Sequence, residues 1–325
     1  MGFWIEFPNR DLIKIMNEFN YINRFFKPLT NKVGRSLQDD AAVFSSDKNV
    51  DYVVSTDTLV EKIHFFGTEE PEKIAKKALR VNLSDLAAMG AEPLYYSLSL
   101  ALPKINYEYF MKSFTKGLKS DQKKFNIFLI GGDLSASKKH IVITISIIGK
   151  LPKGEAVSRN GAKTGDGLYV TGQLGLSNIG LNYYKSKKNE FKVAKNKYHI
   201  PEPRVEFAIK VRKYLNSMID ISDGLIQDAG HLAKNAGVHV ILDFNALPLP
   251  EIGSLNYREI LNSALYGGDD YELLFSLNPR YEKIVYKLAK KLNLQITKIG
   301  VMKKGKKGKV FNDLKEIKNK SYLHF

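Results

Sequence analysis

The chain has 325 residues, long for one core and suited to two domains, and its 44% hydrophobic and 26% charged residues describe an ordinary soluble globular protein. It contains no cysteine, which excludes a disulfide framework, thiolate metal sites and a cysteine nucleophile and fits a reducing, cytoplasmic setting. The net charge of +16 raises nucleic acid as a partner, but the lysines are spread over helices and loops, so none is expected.

The first ten residues lack the basic and apolar segments of a signal peptide, and the most apolar stretch, 141–149, is too short to cross a bilayer. Residues 11–26 have helical apolar spacing (Leu12, Ile15, Met16, Phe19) ended by Pro28. Residues 50–55 read as a strand delivering Thr56 and Asp57 at its end. Residues 72–89 form a strong amphipathic helix, introduced by Pro71 and stopped by Gly90. Asn82, Ser84 and Asp85 then sit inside a helix, where Asn and Ser have poor propensity, which points to a task other than capping.

A strand at 95–102, a helix at 107–118, a strand at 127–130 ending on Gly131-Gly132-Asp133 and a strand at 141–148 complete the first half. The second opens with a turn-rich stretch and a strand at 168–171, after which Gly172 and Gly175 lead into a helix. Residues 185–197 read as an exposed, lysine-rich connection. A helix at 204–214, a strand at 218–221 aimed at Ser222-Asp223-Gly224, a helix at 225–236 and strands at 238–242 and 271–276 follow. Lys303 to Lys309 reads as a lysine-rich hairpin loop between strand-like 295–301 and Val310-Phe311. Repeated strand-glycine-helix units mixed with hairpins predict two α+β or α/β domains, 1–150 and 151–325.

Aspartates in small-residue company recur throughout: Asp39-Asp40, Ser55-Thr56-Asp57-Thr58, Asn82-Leu83-Ser84-Asp85, Gly131-Gly132-Asp133, Asp220-Ile221-Ser222-Asp223-Gly224 and Gly267-Gly268-Asp269-Asp270. Each alone reads equally well as a cap or turn. Converging together, they would repel one another unless cations held them. Hard oxygen donors without cysteine or paired histidines favour Mg²⁺, whose remaining ligands typically come from phosphates. The common nucleotide loops are absent: no Walker sequence, dinucleotide fingerprint or protein-kinase His-Arg-Asp loop occurs.

The blocks Thr56-Asp57-Thr58-Leu59-Val60, His64-Phe65 and Lys77 through Ala91 resemble thiamine-monophosphate kinase, as do Ile130-Gly131-Gly132-Asp133, Ser158 through Lys163, Asp220 through Leu225 and Gly267 through Leu273. The resemblance implies the two-domain fold of the aminoimidazole-ribotide synthetase superfamily, with N-terminal sheets pairing across a homodimer and ATP lying on each N-terminal domain with several Mg²⁺ ions. It implies ATP-dependent phosphorylation of thiamine phosphate to thiamine diphosphate. Matched by position, Asp40, Asp57, Asp85, Asp133, Asp220 and Asp223 are implied magnesium ligands, with further oxygens from Ser55 and Thr56. Gly132, Asp133, Arg159 and Ser222 are implied ATP contacts, and His64 a substrate contact.

Three departures stand out. Asp269 occupies the place of the family's usual glutamate against the thiamine phosphate, Ser36-Leu37-Gln38 replaces a Gly-Ile-Gly loop, and the tail reads Ser321-Tyr322-Leu323-His324-Phe325. Tyr322, or else Phe325, is the aromatic expected against thiamine. The acceptor phosphate is already anionic at neutral pH, so no protein base is required, and direct in-line transfer is the expected chemistry. Another ATP-dependent enzyme of the superfamily, or a catalytically inactive nucleotide- or RNA-binding protein, remains the alternative at this point.

Overall fold

The computed structural model describes residues 23, 27, 38–45, 49–305 and 307–320. The helix expected at 11–26, the replaced Ser36 and Leu37, and Tyr322 with Phe325 lie outside the described residues.

The first sheet takes five strands: β1 (Ala42–Ser45), β2 (Val50–Val60), β3 (Glu92–Leu102), β4 (Phe128–Ala136) and β5 (Val142–Pro152), in the order β1-β2-β5-β3-β4. All neighbours are antiparallel except β3 and β4. Thr56 and Asp57 lie in the middle of β2, not at its end. The alternating Val, Thr and Leu of this segment pair with β5 along its full length, from Val50 opposite Pro152 to Val60 opposite Val142. Likewise Gly131-Gly132-Asp133 does not end a strand, because β4 continues through it against β3. A Cβ on Gly132 would lie 1.9 Å from the Leu98 carbonyl, whereas Gly131 faces open space.

One face of this sheet, carrying Val53, Leu59, Tyr96, Leu100, Ile143, Ile145 and Ile147, is buried under α1 (Pro71–Ala88) and α2 (Tyr107–Phe125). Helix α1 is covered almost all round: only Glu72, Lys73, Lys76 and Asp85 keep partial exposure. A helix buried on every side sits between layers. Here it packs on β2, β5 and α2 of the first half and on α5 (Val205–Val211) and β7 (Leu215–Asp220) of the second.

The second sheet adds β6 (Gly167–Thr171), β8 (His239–Leu242), β9 (Leu273–Leu277), β10 (Ile296–Lys303), β11 (Val310–Asn312) and β12 (Lys315–Glu316), in the order β12-β11-β8-β10-β6-β9-β7. Its helices are α3 (Leu176–Asn182), α4 (Lys192–His199), α5, α6 (Leu225–Ala236), α7 (Tyr257–Tyr266) and α8 (Glu282–Lys291). The stretch 185–197 is thus not a plain connection. Phe191, Ala194 and Tyr198 bury one face of the α4 segment, a spacing that its lysines obscure. The lysine-rich loop is not a hairpin either: β8 lies between β10 and β11 and pairs with both. The loop therefore steps across one strand, a span of about 10 Å. Both domains are α/β with mixed sheets.

Arg80 fastens α1 to its surroundings. Its guanidinium donates to both oxygens of the fully buried Asp121 on α2, at 2.7 and 2.8 Å, and to the Pro201 carbonyl and Glu202 in the second half. Removing one partner of a buried ion pair leaves the other uncompensated, at a cost of about 3–5 kcal/mol. Arg80→Ala should therefore lower the free energy of unfolding in urea by about that much, while Arg80→Met combined with Asp121→Leu recovers most of it. Equal losses in the single and double variants would contradict the assignment.

Candidate active site

The site forms where three elements meet around α1. Strand β2 directs Ser55 and Asp57 to the helix-covered face, α1 offers Asp85, and the turn between β7 and α6 offers Asp220, Ser222 and Asp223. Carboxylate oxygens of Asp40, Asp85 and Asp220 lie within 4.8 Å of one another. The mid-helix polar residues serve this meeting, as their poor propensity suggested. Asn82 accepts the Asp57 main-chain N–H at 3.1 Å, Ser84 donates to Asp220 at 2.6 Å, and Asp85 accepts from Ser55 at 2.6 Å. Arg159 donates to Asp40 through Nε at 2.9 Å and through a second guanidinium nitrogen. Asp39 accepts from Ser158 and from the Arg159 main chain, so Arg159 is tied to the paired aspartates twice.

Like charges in partial burial have the expected consequence. Burial, with Asp40 and Asp223 nearby, pushes the Asp57 carboxyl up to about 6. Burial also drives Asp85 and Asp220 well above the carboxylate range, reinforced for Asp85 by Asp57 and Asp220 and for Asp220 by Asp40. A cation would reverse this preference for protons. The donors are carboxylate and hydroxyl oxygens alone, a set that fits Mg²⁺.

The cluster contributes Asp57, Asp85, Asp220 and Asp223, with Ser222, to the lining of a cavity of about 350 Å³. Its other walls include Leu59, Ile63, Val81, Leu181, Tyr198, Tyr266 and Tyr271, with His64, Lys77 and Asp269 among them. His64 Nδ1 accepts the Val60 N–H at 2.9 Å, so the neutral ring carries its proton on Nε2. Asp269 accepts from Lys77 at 2.9 Å and from the Tyr271 hydroxyl at 3.2 Å. Gly268 permits a close approach: a Cβ there would stand 2.4 Å from the Ser222 carbonyl, which accepts the Asp269 N–H.

Most of the residues selected from the sequence converge here: Asp40, Ser55, Asp57, His64, Asp85, Arg159, Asp220, Ser222, Asp223 and Asp269. Three do not. Thr56 pairs across the sheet with Ser146, to which its hydroxyl donates at 2.8 Å, placing its side chain on the face opposite Asp57. Gly132 and Asp133 lie on the exposed edge strand β4, and the register Asp133–Ser99–Thr144–Thr58 puts Asp133 on that same outer face. Sequence reasoning missed Lys77, whose signal was helical: Lys77, Val81 and Asp85 stand at i, i+4 and i+8 on one side of α1. It also missed Asp228, which accepts the Asp223 and Gly224 N–H groups, and Gln227, which donates to Asp223 at 2.8 Å.

The family described as AIR synthase related protein, N-terminal domain, matches residues 38–151, and its C-terminal domain counterpart matches 163–313. Thiamine-monophosphate kinase of Buchnera aphidicola subsp. Schizaphis graminum is 38% identical over 323 residues, covering 95% of this chain and 99% of that protein. The chain belongs to the thiamine-monophosphate kinase family. The Escherichia coli K12 member is 37% identical over 270 residues, covering 80% of this chain and 82% of its own. A solved complex of AaThiL with AMPPCP and TMP superimposes with a TM-score of 0.84 at 31% identity, covering 95% of this chain and 97% of that one.

The raised pKa of Asp57 makes the carboxylate cluster testable without substrate. Asp57 binds a proton more readily in the fold than in the unfolded chain, so its destabilisation is absent below about pH 3, sets in as the unfolded carboxylate ionises near 3.8 and is complete above about 6. Asp57→Asn should therefore raise the thermal stability of the metal-free protein at pH 7.5, by about 1–3 kcal/mol, and leave it nearly unchanged at pH 3. Mg²⁺ at pH 7.5 is expected to stabilise wild type and to stabilise this variant less. A melting-temperature series across pH, with and without Mg²⁺, checks both.

Proposed function

We propose that the protein transfers the γ-phosphoryl group of ATP to thiamine phosphate, giving ADP and thiamine diphosphate. Family membership along nearly the whole chain carries this reading, and AaThiL has been solved with AMPPCP and TMP together. The pocket supports it chemically. Its walls combine carboxylates, where phosphates would need cations, with aliphatic and tyrosine side chains, where a heterocycle would need apolar cover.

Asp40, Asp57, Asp85, Asp220 and Asp223, with Ser55, are the residues assigned to hold Mg²⁺. When bound, Mg²⁺ supplies the charge neutralisation that lets one phosphate approach another. The protein's own contribution is positioning. Ser55, Ser84 and Gln227 orient Asp85, Asp220 and Asp223 by hydrogen bonds. Arg159 holds Asp40 and is assigned a phosphate contact, with Ser222 beside it. His64, with its proton on Nε2, acts as a donor to the substrate and not as a base. Transfer is direct, from ATP to the acceptor oxygen, with no phosphorylated residue.

The outer face of the first sheet is assigned to homodimer pairing. Phe44, Tyr95 and Phe128, 40%, 43% and 54% exposed, share it with Thr56 and Asp133 by register. Thr56 and Asp133 on that face, and Gly132 beside them on the edge strand β4, keep their assigned metal and ATP roles. The functional division falls near residue 150, with ATP and metal assigned to the first half and completed by Arg159, Asp220, Ser222 and Asp223 of the second. Among the described residues no helix is long and apolar enough to cross a membrane, and a cytoplasmic location is consistent with the absence of cysteine.

The test is incubation with ATP, Mg²⁺ and thiamine phosphate, following thiamine diphosphate by oxidation to fluorescent thiochrome. Product is expected from the monophosphate and none from unphosphorylated thiamine. Label from γ-labelled ATP retained on protein before acceptor is added would refute direct transfer.

A further inference from the structure

Lys77 is buried, 3% exposed, yet its ammonium reaches the wall of the pocket. It donates to Asp269 Oδ2 at 2.9 Å and to the His64 main-chain carbonyl at 2.9 Å, and it sits 3.7 Å from the centre of the Tyr198 ring. Tyr198 donates its hydroxyl to the same His64 carbonyl at 3.1 Å. One ammonium thus joins two residues, 64 and 269, that stand far apart in sequence and were both selected as substrate contacts. Burying an ammonium costs several kcal/mol, and a methionine would pack the same stem without that penalty. A charge kept here therefore calls for a role that packing alone does not give.

From this bracket we infer that Lys77 is a positioning residue for the acceptor substrate, acting through Asp269 and His64 and not on the phosphates. Its place on α1 sets the range of its action. Lys77 and Asp85 line the same pocket two helical turns apart, about 12 Å along the axis, so the ammonium and the Asp85 carboxylate start from separate points on its wall. Asp269 needs holding. Its backbone is left-handed at φ +67°, and Tyr271 two residues later is left-handed at φ +49°, a conformation uncommon for these side chains. Lys77 fixes one carboxylate oxygen and the Tyr271 hydroxyl the other. A carboxylate has about four acceptor positions, so about two remain for a ligand in the pocket that Asp269 lines. The group they suit is an N–H donor, such as the exocyclic amine of a cationic heterocycle.

This inference rests on the proposed acceptor, so its test measures binding separately from turnover. Calorimetry gives the Kd of thiamine phosphate in the presence of AMPPCP and Mg²⁺, and steady-state assays give kcat and both KM values. Lys77→Met should weaken thiamine phosphate binding about tenfold or more and raise its KM in parallel, with the ATP KM within about twofold of wild type. Lys77→Arg should restore binding to within a few-fold, and Lys77→Met with Asp269→Asn should bind no worse than the poorer single variant. Lys77→Gln, which retains a donor for the His64 carbonyl, serves the same comparison if the methionine variant does not fold. Unchanged acceptor binding, or equal loss of ATP affinity, would overturn the inference. Wild type that binds thiamine phosphate without forming thiamine diphosphate would overturn the proposed activity and leave this comparison intact. Wild type that does not bind it at all would overturn both.

Discussion

The rest of the molecule is arranged around carboxylates that repel one another. Asp40, Asp85 and Asp220 approach within 4.8 Å, and Asp57 belongs to the same electrostatic set. Two residues from different strands, one from the bend before β1 and one from a helix cannot be gathered this way by local structure. The fold achieves it by burying α1 on nearly every side, so that one helix touches the first sheet through its Asn82 and Asp85 and the second through its Ser84. The apolar residues on the remaining positions of α1 supply the stabilisation that opposes the repulsion.

Hydrogen bonds from neighbouring elements hold the oxygens of the cluster. Four of the gathered carboxylates have a donor of their own: Ser55 for Asp85, Ser84 for Asp220, Arg159 for Asp40 and Gln227 for Asp223. Behind them Asp228 accepts the N–H groups of the Asp223–Gly224 turn and is itself held well above its ordinary carboxylate range by burial and by Asp223 and Asp220. Preorganised donors fix the oxygens in place before a ligand arrives, which lowers the cost of binding.

Much of the site was legible in the sequence because its chemistry is carried by short runs of unusual residues. Asn82, Ser84 and Asp85 violate helix propensity and are each explained by a contact from another element. Asp220 and Asp223 fall on either side of a strand end, as Met218 to Gly224 suggested. The extent of β2 and β4 was less legible, since Thr-Asp-Thr and Gly-Gly-Asp read locally as strand ends, and only the long pairing of β2 with β5 and of β3 with β4 overrides that reading. The position of β8 between β10 and β11 depends on contacts far apart in sequence, which a lysine-rich loop does not encode. Lys77 was invisible for a different reason: a lysine on an amphipathic helix looks solvated until the second domain covers it.

The division of labour along α1 follows from its geometry. A rigid helix sets the distance between groups on one of its faces to within its 1.5 Å rise per residue, so Asp85 and Lys77 mark two fixed points on the pocket wall. The carboxylates of the first half, Asp40, Asp57 and Asp85, meet those of the second, Asp220 and Asp223, at only one of these points. Cations bound there would join the two halves as well as the two phosphates. The halves do not depend on such ions to meet, because Arg80 reaches Pro201 and Glu202, Arg159 reaches Asp40, and Ser84 reaches Asp220. The site is therefore held by neutral and charge-assisted hydrogen bonds around its rim, leaving the electrostatic strain at its centre for the ligands to relieve.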